Sequence, residues 1–464
     1  MTLGGNVTSI SDYAFAECDG LAGVSLPASL NSLGNYVFND CNLLTAINVD
    51  AANLVYSSVT GVLFNKSQTT LILYPPGKAG SYSIPNSVTT IASSAFYACY
   101  GLTGVTIGNN VINIGDYAFN YCTGLPSVTL GSGVTTIGYL VFDECTGLTA
   151  INVNVANLFF SSVAGVLFDK SQTMLIEYPP GKGGSYSIPN STTVIGNNAF
   201  NYCTLAAVMI PGSVTNLGYA TFYGCTSLSS ATIGNGVPGI SYDTFAYCYN
   251  LTSIMIPSSV TYIESSAFTF AGLTSVTIPD SMTSIGNDAF DNSFYLTNVI
   301  IGNGVTKIGT YAFYNCTSLT NVTIGNNLAV IGDGAFYYCP LLAGVYFKGN
   351  APVVGTDIFY GDNIVTNYYL AMATGWGTTL GGRPTALWSL PVQISIGGSG
   401  VRTNRFGFNI AGSAGLVVVV EACTNLVNHV WLPVQTNTLT GGPAYFSDQQ
   451  WTNYPRRFYR VRSP

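Results

Sequence analysis

One phrase returns along this chain at a nearly fixed step. Its phenylalanine falls at Phe15, Phe38, Phe96, Phe119, Phe142, Phe200, Phe222, Phe245, Phe268, Phe290, Phe313, Phe336 and Phe359, with gaps of 22 or 23 residues apart from two of 58. A unit this short cannot close a core alone, so its apolar face has to be buried by its neighbours. In "LTNVTIG" the alternation turns apolar residues inward and small polar residues outward along a strand. A Gly/Asn/Pro turn follows, and then a second extended piece such as "VTKIG" leads into the corner "AFYNC". The expected fold is mainly β, a solenoid of about 13 turns occupying residues 1–382.

Each gap of 58 is one repeat plus a 35-residue insertion, and the two insertions are near-copies. The first reads "NLVYSSVTGVLFNKSQTTLILYPPGKAGSYSIP" from Asn53, and the second reads "NLFFSSVAGVLFDKSQTMLIEYPPGKGGSYSIP" from Asn157. Both predict a β-hairpin, with a polar turn at Asn65–Gln68 in the first copy. The paired prolines, unable to donate a ladder hydrogen bond, end the second strand. The hairpin insertions therefore lie at about 53–85 and 157–189, and their offset of 104 residues points to a duplicated block.

Composition narrows the function classes. Charged residues make up 7% of the chain, against roughly 25% in an average soluble protein. Mean hydropathy is +0.37. Yet apolar runs such as "LVVVV" at 416–420 are strand-sized and far short of the roughly 18 residues that span a bilayer. A net charge of −7 argues against nucleic acid, whose binding rests on phosphate neutralisation. All seven arginines lie from Arg383 onward, which leaves that end at +5 and residues 1–382 at −12. That shift marks a boundary. Beyond it the period is lost, and "VQISI", "RFGFNI", "LVVVVEAC", "WLPVQTNTL", "AYFSD" and "RFYRVR" read as six strands of a small β-sandwich-like module at 390–464. Residues of about 360–382, continued by "GWGTTLGGRPTALW" with Trp376 and Trp388, read as the cap of the last repeat.

The "AFxxC…L…V.IP.SVT.IG" phrase, with its "GVLF…YPPGK…Y.IP.SVT.I" insertions, resembles the BspA-like leucine-rich repeat family over about residues 1–360. The resemblance implies a solenoid with a parallel sheet along one face, on secreted or cell-surface proteins of microbes. It also implies an adhesin or interaction module and not an enzyme, with no catalytic motif to carry over. The N-terminus lacks the basic and apolar regions of a signal peptide. Because "LGGNVTSISDYAF" aligns with "IGNGVTKIGTYAF", the chain is expected to be a fragment that begins inside a repeat.

Little in the array suits chemistry. Ten cysteines (Cys18, Cys41, Cys99, Cys122, Cys145, Cys203, Cys225, Cys248, Cys316 and Cys339) sit three residues after a reference phenylalanine, where other turns hold Ala271, Ser293 or Asp362. A site that accepts any small residue reads as packing; a line of single cysteines gives neither a four-ligand zinc site nor good disulfide geometry. "GNGVPG" at Gly234–Gly239 lacks the helix a dinucleotide fingerprint needs. "PPGK" at Lys78 and Lys182 lacks the rest of a phosphate loop. His429 is the sole histidine, so no catalytic triad can be completed within the solenoid. No catalytic, cofactor-binding or metal-binding residue is expected.

Binding is expected on the outward strand face. Its outward column turns apolar in the second half, at Met209, Met255, Ile300 and Tyr346. The neighbouring column is small or polar, with Asn298 and Asn321. These six residues are the candidate ligand-binding set, for a protein or glycan partner. A self-associating surface-layer or filament protein is the alternative.

Overall fold

The computed structural model describes residues 1–388, 393–402, 405–412, 416–426, 430–440 and 444–462. The chain divides into two compact units, residues 1–276 with 284–296, and residues 277–283 with 297–464. Among the described residues there is no α-helix, only a 3-10 turn at Trp451–Asn453.

Both units repeat one turn plan. A four-residue strand such as Ser127–Leu130 buries Val128 and Leu130 and exposes Ser127 and Thr129, as the period-two pattern requires. A two-residue strand such as Thr136–Ile137 follows, and then the corner with the phenylalanine. Long strands pair in parallel with long strands, and short with short, one repeat apart: Thr129 lies opposite Thr106 and Asn152, and Ile137 opposite Ile114.

Within each unit the reference phenylalanines stack in a column, buried throughout except at Phe15. Phe222 and Phe245 stack at 5.2 Å with planes 6° apart, and Phe313 and Phe336 at 5.3 Å and 4°. Offset stacking of this kind adds about 0.5–1.5 kcal/mol per pair beyond burial. The corner also uses unusual backbone: residues two before and two after the phenylalanine adopt positive φ, as at Tyr117 (56°) and Tyr121 (60°), or Ala220 (49°) and Gly224 (67°). Left-handed backbone costs a non-glycine residue roughly 1–2 kcal/mol. The return is a ladder. The amides of Tyr117, Phe119 and Tyr121 donate to the carbonyls of Tyr139, Val141 and Asp143 in the next turn, and the plan repeats at each uninterrupted junction within a unit.

The insertions hold one strand more than the sequence predicts. Tyr56–Val59, Val62–Asn65 and Thr70–Leu73 form an antiparallel meander, as do Phe160–Val163, Val166–Asp169 and Met174–Glu177. Its first turn needs positive φ at Thr60 (51°) and Gly61 (82°), a two-residue hairpin geometry that "TG" signals more weakly than Asn-Gly. The last strand of each meander then runs parallel to the next short strand. Tyr74 and Tyr178, just before the prolines, join the aromatic column in place of a phenylalanine. They stack on Phe96 at 5.0 Å and on Phe200 at 4.9 Å.

In the second unit the described C-terminal strands make two three-stranded antiparallel sheets. One contains Gln393–Arg402, Arg405–Ala411 and Ala444–Asp448, and the other Leu432–Thr438, Val417–Cys423 and Phe458–Arg462. Phe408, Ile410, Val418, Val420, Leu439 and Phe446 are their shared core, which makes the module a small sandwich. Part of the basic charge is structural: Arg460 and Arg462 grip Glu421 at 2.7 and 2.8 Å, and Arg457 reaches Asp448 at 3.1 Å. Trp376 stacks on Tyr369 at 4.8 Å and 4°, packs against Phe347, and donates to the Gly349 carbonyl.

Candidate functional site

The cysteine column is built for packing and for one hydrogen bond. The Sγ of Cys122, Cys225 and Cys248 donates to the carbonyl of the preceding turn's phenylalanine (Phe96, Phe200 and Phe222) at 3.1, 3.0 and 3.2 Å. Ser293 makes the same bond to Phe268 at 3.2 Å, which explains why serine can stand in the column. Cys99 and Cys203 donate to Tyr74 and Tyr178, the insertion surrogates. Burial raises the thiols of Cys122, Cys203, Cys225 and Cys248, Cys225 to about 12, so these four stay protonated and unreactive. None of the cysteines among the described residues is in a disulfide. Asp362, the column's last member, is buried, accepts from the Cys339 amide, and is pushed up to about 7 by desolvation.

The other motifs are structural. Lys78 donates to the Thr60 carbonyl within its insertion. A Cβ on Gly236 would lie 1.8 Å from the Gly212 carbonyl oxygen, so that glycine serves close stacking of turns. No group of histidine, cysteine, aspartate or glutamate residues that could hold a metal occurs among the described residues. His429 lies outside the described residues.

A buried polar cluster not visible to sequence reasoning sits beside the second insertion. Asp143 accepts from Asn120 and Asn201 at 3.2 and 3.0 Å. Desolvation, with Glu144 nearby, pushes its carboxyl up to about 6. Glu177, which replaces Leu73 of the first copy, is pushed up to about 8, by desolvation first and by Asp143 second, while the Phe142 amide pulls it back.

The candidate binding residues fall on two sheets, one in each unit. In the first unit, Met209 and Met255 share an outward column with Thr232 between them, and they are 54% and 80% exposed. In the second, Ile300, Thr323, Tyr346, Tyr368 and Ala386 lie opposite one another on successive strands. Ile300 is 40% exposed; Thr323, Tyr346 and Tyr368 are half-buried. Asn298 and Asn321 lie in register on the neighbouring column, which continues to Gly344. That glycine has a use. A Cβ there would sit 2.6 Å from the Tyr346 ring, so the ring lies back across its own strand.

Tyr346 stacks on Tyr368 at 4.9 Å and 10°, and Trp388 packs against Tyr346 at 5.2 Å. Stacked, half-buried tyrosines on the outward column supply amphipathic contacts at low entropy cost. Sequence reasoning missed Tyr368 and Trp388 as site residues. Tyr368 had a signal, since it follows Tyr346 by one repeat length of 22; Trp388 had none in the period.

Comparison with known families decides the lineage. The model of the BspA type leucine rich repeat region matches residues 1–76, 77–172, 183–296 and 267–371. The chain belongs to this family. Several solved structures resemble this BspA-type chain. A leucine rich cell surface protein from Faecalibacterium prausnitzii A2-165 is 24% identical with a TM-score of 0.48, over 70% of this chain and 86% of that one. The pneumococcal vaccine antigen PcpA is 21% identical with a TM-score of 0.41, over 80% and 84%. A leucine-rich repeat protein from Bacteroides ovatus is 21% identical with a TM-score of 0.35, over 68% and 92%. No curated protein matches the chain.

Proposed function

We propose that this BspA-type chain is a non-enzymatic binding or adhesion protein of the cell surface or the secreted compartment. It takes a protein or glycan partner on the outward strand face. No helix among the described residues is long and apolar enough to cross a membrane. The division into a solenoid at 1–382 and a module at 390–464 belongs to this proposal. The observation that carries it is the column of Ile300, Tyr346 and Tyr368, with Trp388 packed on Tyr346 and Asn298 and Asn321 alongside. Aromatic rings with hydroxyls, beside side-chain amides, are the contacts that recognise sugar rings or peptide surfaces. Met209 and Met255 offer adaptable apolar contact on the first unit.

The test is a glycan array and a host-protein pull-down with the Ile300→Asp/Tyr346→Asp double variant, alongside light scattering of the unmodified chain. The variant is expected to lose the partner and stay folded, with its melting temperature lowered modestly by loss of the Tyr346 stacking on Tyr368 and Trp388. Affinity should depend weakly on salt, since no charge lies in the column. Concentration-dependent assembly without partner binding would favour the self-associating structural role instead.

A further inference from the structure

Within the first unit the corner ladder breaks at both insertions. In the first unit, Ser94, Phe96 and Ala98 donate to Asp116, Ala118 and Asn120 across an ordinary junction. At the first insertion, no hydrogen bond from the equivalent amides of Tyr36, Phe38 and Asp40 is found among the described residues, because Tyr74 has taken the Ala95 carbonyl. At the second, the amides of Leu140, Phe142 and Glu144 likewise meet no backbone carbonyl among the described residues, with Tyr178 bonded to Ala199.

The two copies treat the breach differently. In the second, Asn201 crosses it to Asp143 at 3.0 Å, Asn198 reaches the Tyr139 hydroxyl at 3.1 Å, and the Glu177 carboxyl lies against the Phe142 amide. The residues 104 positions earlier are Tyr97, Ser94 and Leu73; none of these bonds is made there, though Tyr97 meets Tyr36 edge-on at 5.5 Å and the Tyr100 hydroxyl donates to Asp40 at 3.4 Å. A cleft of about 350 Å³ stays open instead, within the range of roughly 300–1,000 Å³ typical of ligand pockets. Tyr36 and Phe38 form one wall, Ser93 the other, and Ile72 and Leu73 the apolar floor. Asn39, also on the lining, keeps its Oδ1 buried without a hydrogen-bond partner.

We propose that this cleft is a second binding site, for a short peptide segment whose backbone replaces the missing corner of the ladder. Two of its alternate carbonyls accept from the Tyr36 and Phe38 amides, a backbone N–H donates to Asn39 Oδ1 or to the Ser93 carbonyl, and an apolar side chain rests on Ile72 and Leu73. Spacing selects the ligand. Donors two residues apart are met at ordinary junctions by carbonyls two residues apart, as Val37 and Asn35 serve Phe15 and Tyr13, and a polypeptide repeats that spacing where a single carboxylate or amide does not. No lysine or arginine lines the cleft to hold a charged ligand. The raised carboxyl of Glu177 in the second breach likewise marks such a gap as favouring a neutral acceptor.

The test is a ¹⁵N amide titration of the full chain with acetyl-Ala-X-Ala-amide peptides, X being Ala, Leu or Phe, with N-methylacetamide as the single-carbonyl control. Saturable shifts at Tyr36 and Phe38 are expected at millimolar peptide, strongest for X = Leu or Phe, while Leu140 and Phe142 stay unmoved. Leu73→Glu, which installs the second copy's residue, should weaken binding at least about tenfold by filling the breach. Should that variant fail to fold, Ser93→Trp, placed from the exposed wall, should block the cleft. Absence of saturable shifts, equal binding of N-methylacetamide, or undiminished binding by the folded variant overturns the assignment.

Discussion

Replacing Glu177 with leucine should flatten the pH dependence of the array's stability. The Glu177 carboxyl stands at about 8, against an ordinary 4.5. Between those two values the folded chain holds a proton that the unfolded chain has released. Stability therefore falls as pH rises through that window, and is fully present only below it. An interval of about 3.5 pH units at about 1.4 kcal/mol per unit caps the effect near 5 kcal/mol. Glu177 is only partly buried, so water reaching the carboxylate reduces this to roughly 2–3 kcal/mol. Asp143, raised to about 6, adds a smaller loss of the same sign. Leucine already occupies the equivalent place in the first insertion, at Leu73, so the substitution suits the meander. The assay is urea unfolding at pH 5 and pH 8.5, followed by far-ultraviolet circular dichroism and tyrosine fluorescence. All four tryptophans lie from Trp376 onward and would not report on the second insertion. The parent should lose stability between the two pH values, and Glu177→Leu should lose about 2–3 kcal/mol less. An identical loss in both proteins would refute the desolvated, neutral carboxyl.

In the phenylalanine column, Phe245→Ala should cost about 3–5 kcal/mol in urea unfolding through lost burial and a cavity. Cys248→Ser should stay within about 1 kcal/mol of the parent, because Ser293 shows that serine keeps the bond to the preceding phenylalanine carbonyl; Cys248→Ala, after which the Phe222 carbonyl still accepts from the Cys225 amide, should cost about 0.5–1.5 kcal/mol. Ala220→Gly should raise the melting temperature slightly, by relieving about 1 kcal/mol of left-handed strain, since the equivalent residue Gly334 sits at φ 56°. A drop with Ala220→Gly would mean that the alanine methyl contributes more than its backbone costs.

The sequence alone determined the solenoid, because a fixed step of 22 or 23 residues leaves each apolar face nowhere to go but against the next copy. The same step placed Val128 and Leu130 inward and Thr129 outward. It also put Ile300 and Tyr346 in one column, since strands in register stack residues one period apart. The six C-terminal strands were legible from alternation and turn residues. Tertiary structure decided what lies between turns. That the cysteine thiol caps a carbonyl 26 residues earlier depends on the corner's handedness, which composition does not encode. Tyr74 and Tyr178 stand exactly one period before Phe96 and Phe200, yet a tyrosine beside two prolines carries no local mark of belonging to the phenylalanine column. The packing of Trp388 on Tyr346 came from outside the repeat. The open cleft at the first insertion and the filled one at the second differ by a few side chains, Leu73 against Glu177 and Tyr97 against Asn201. Their consequence appears only when two corners 58 residues apart are brought face to face.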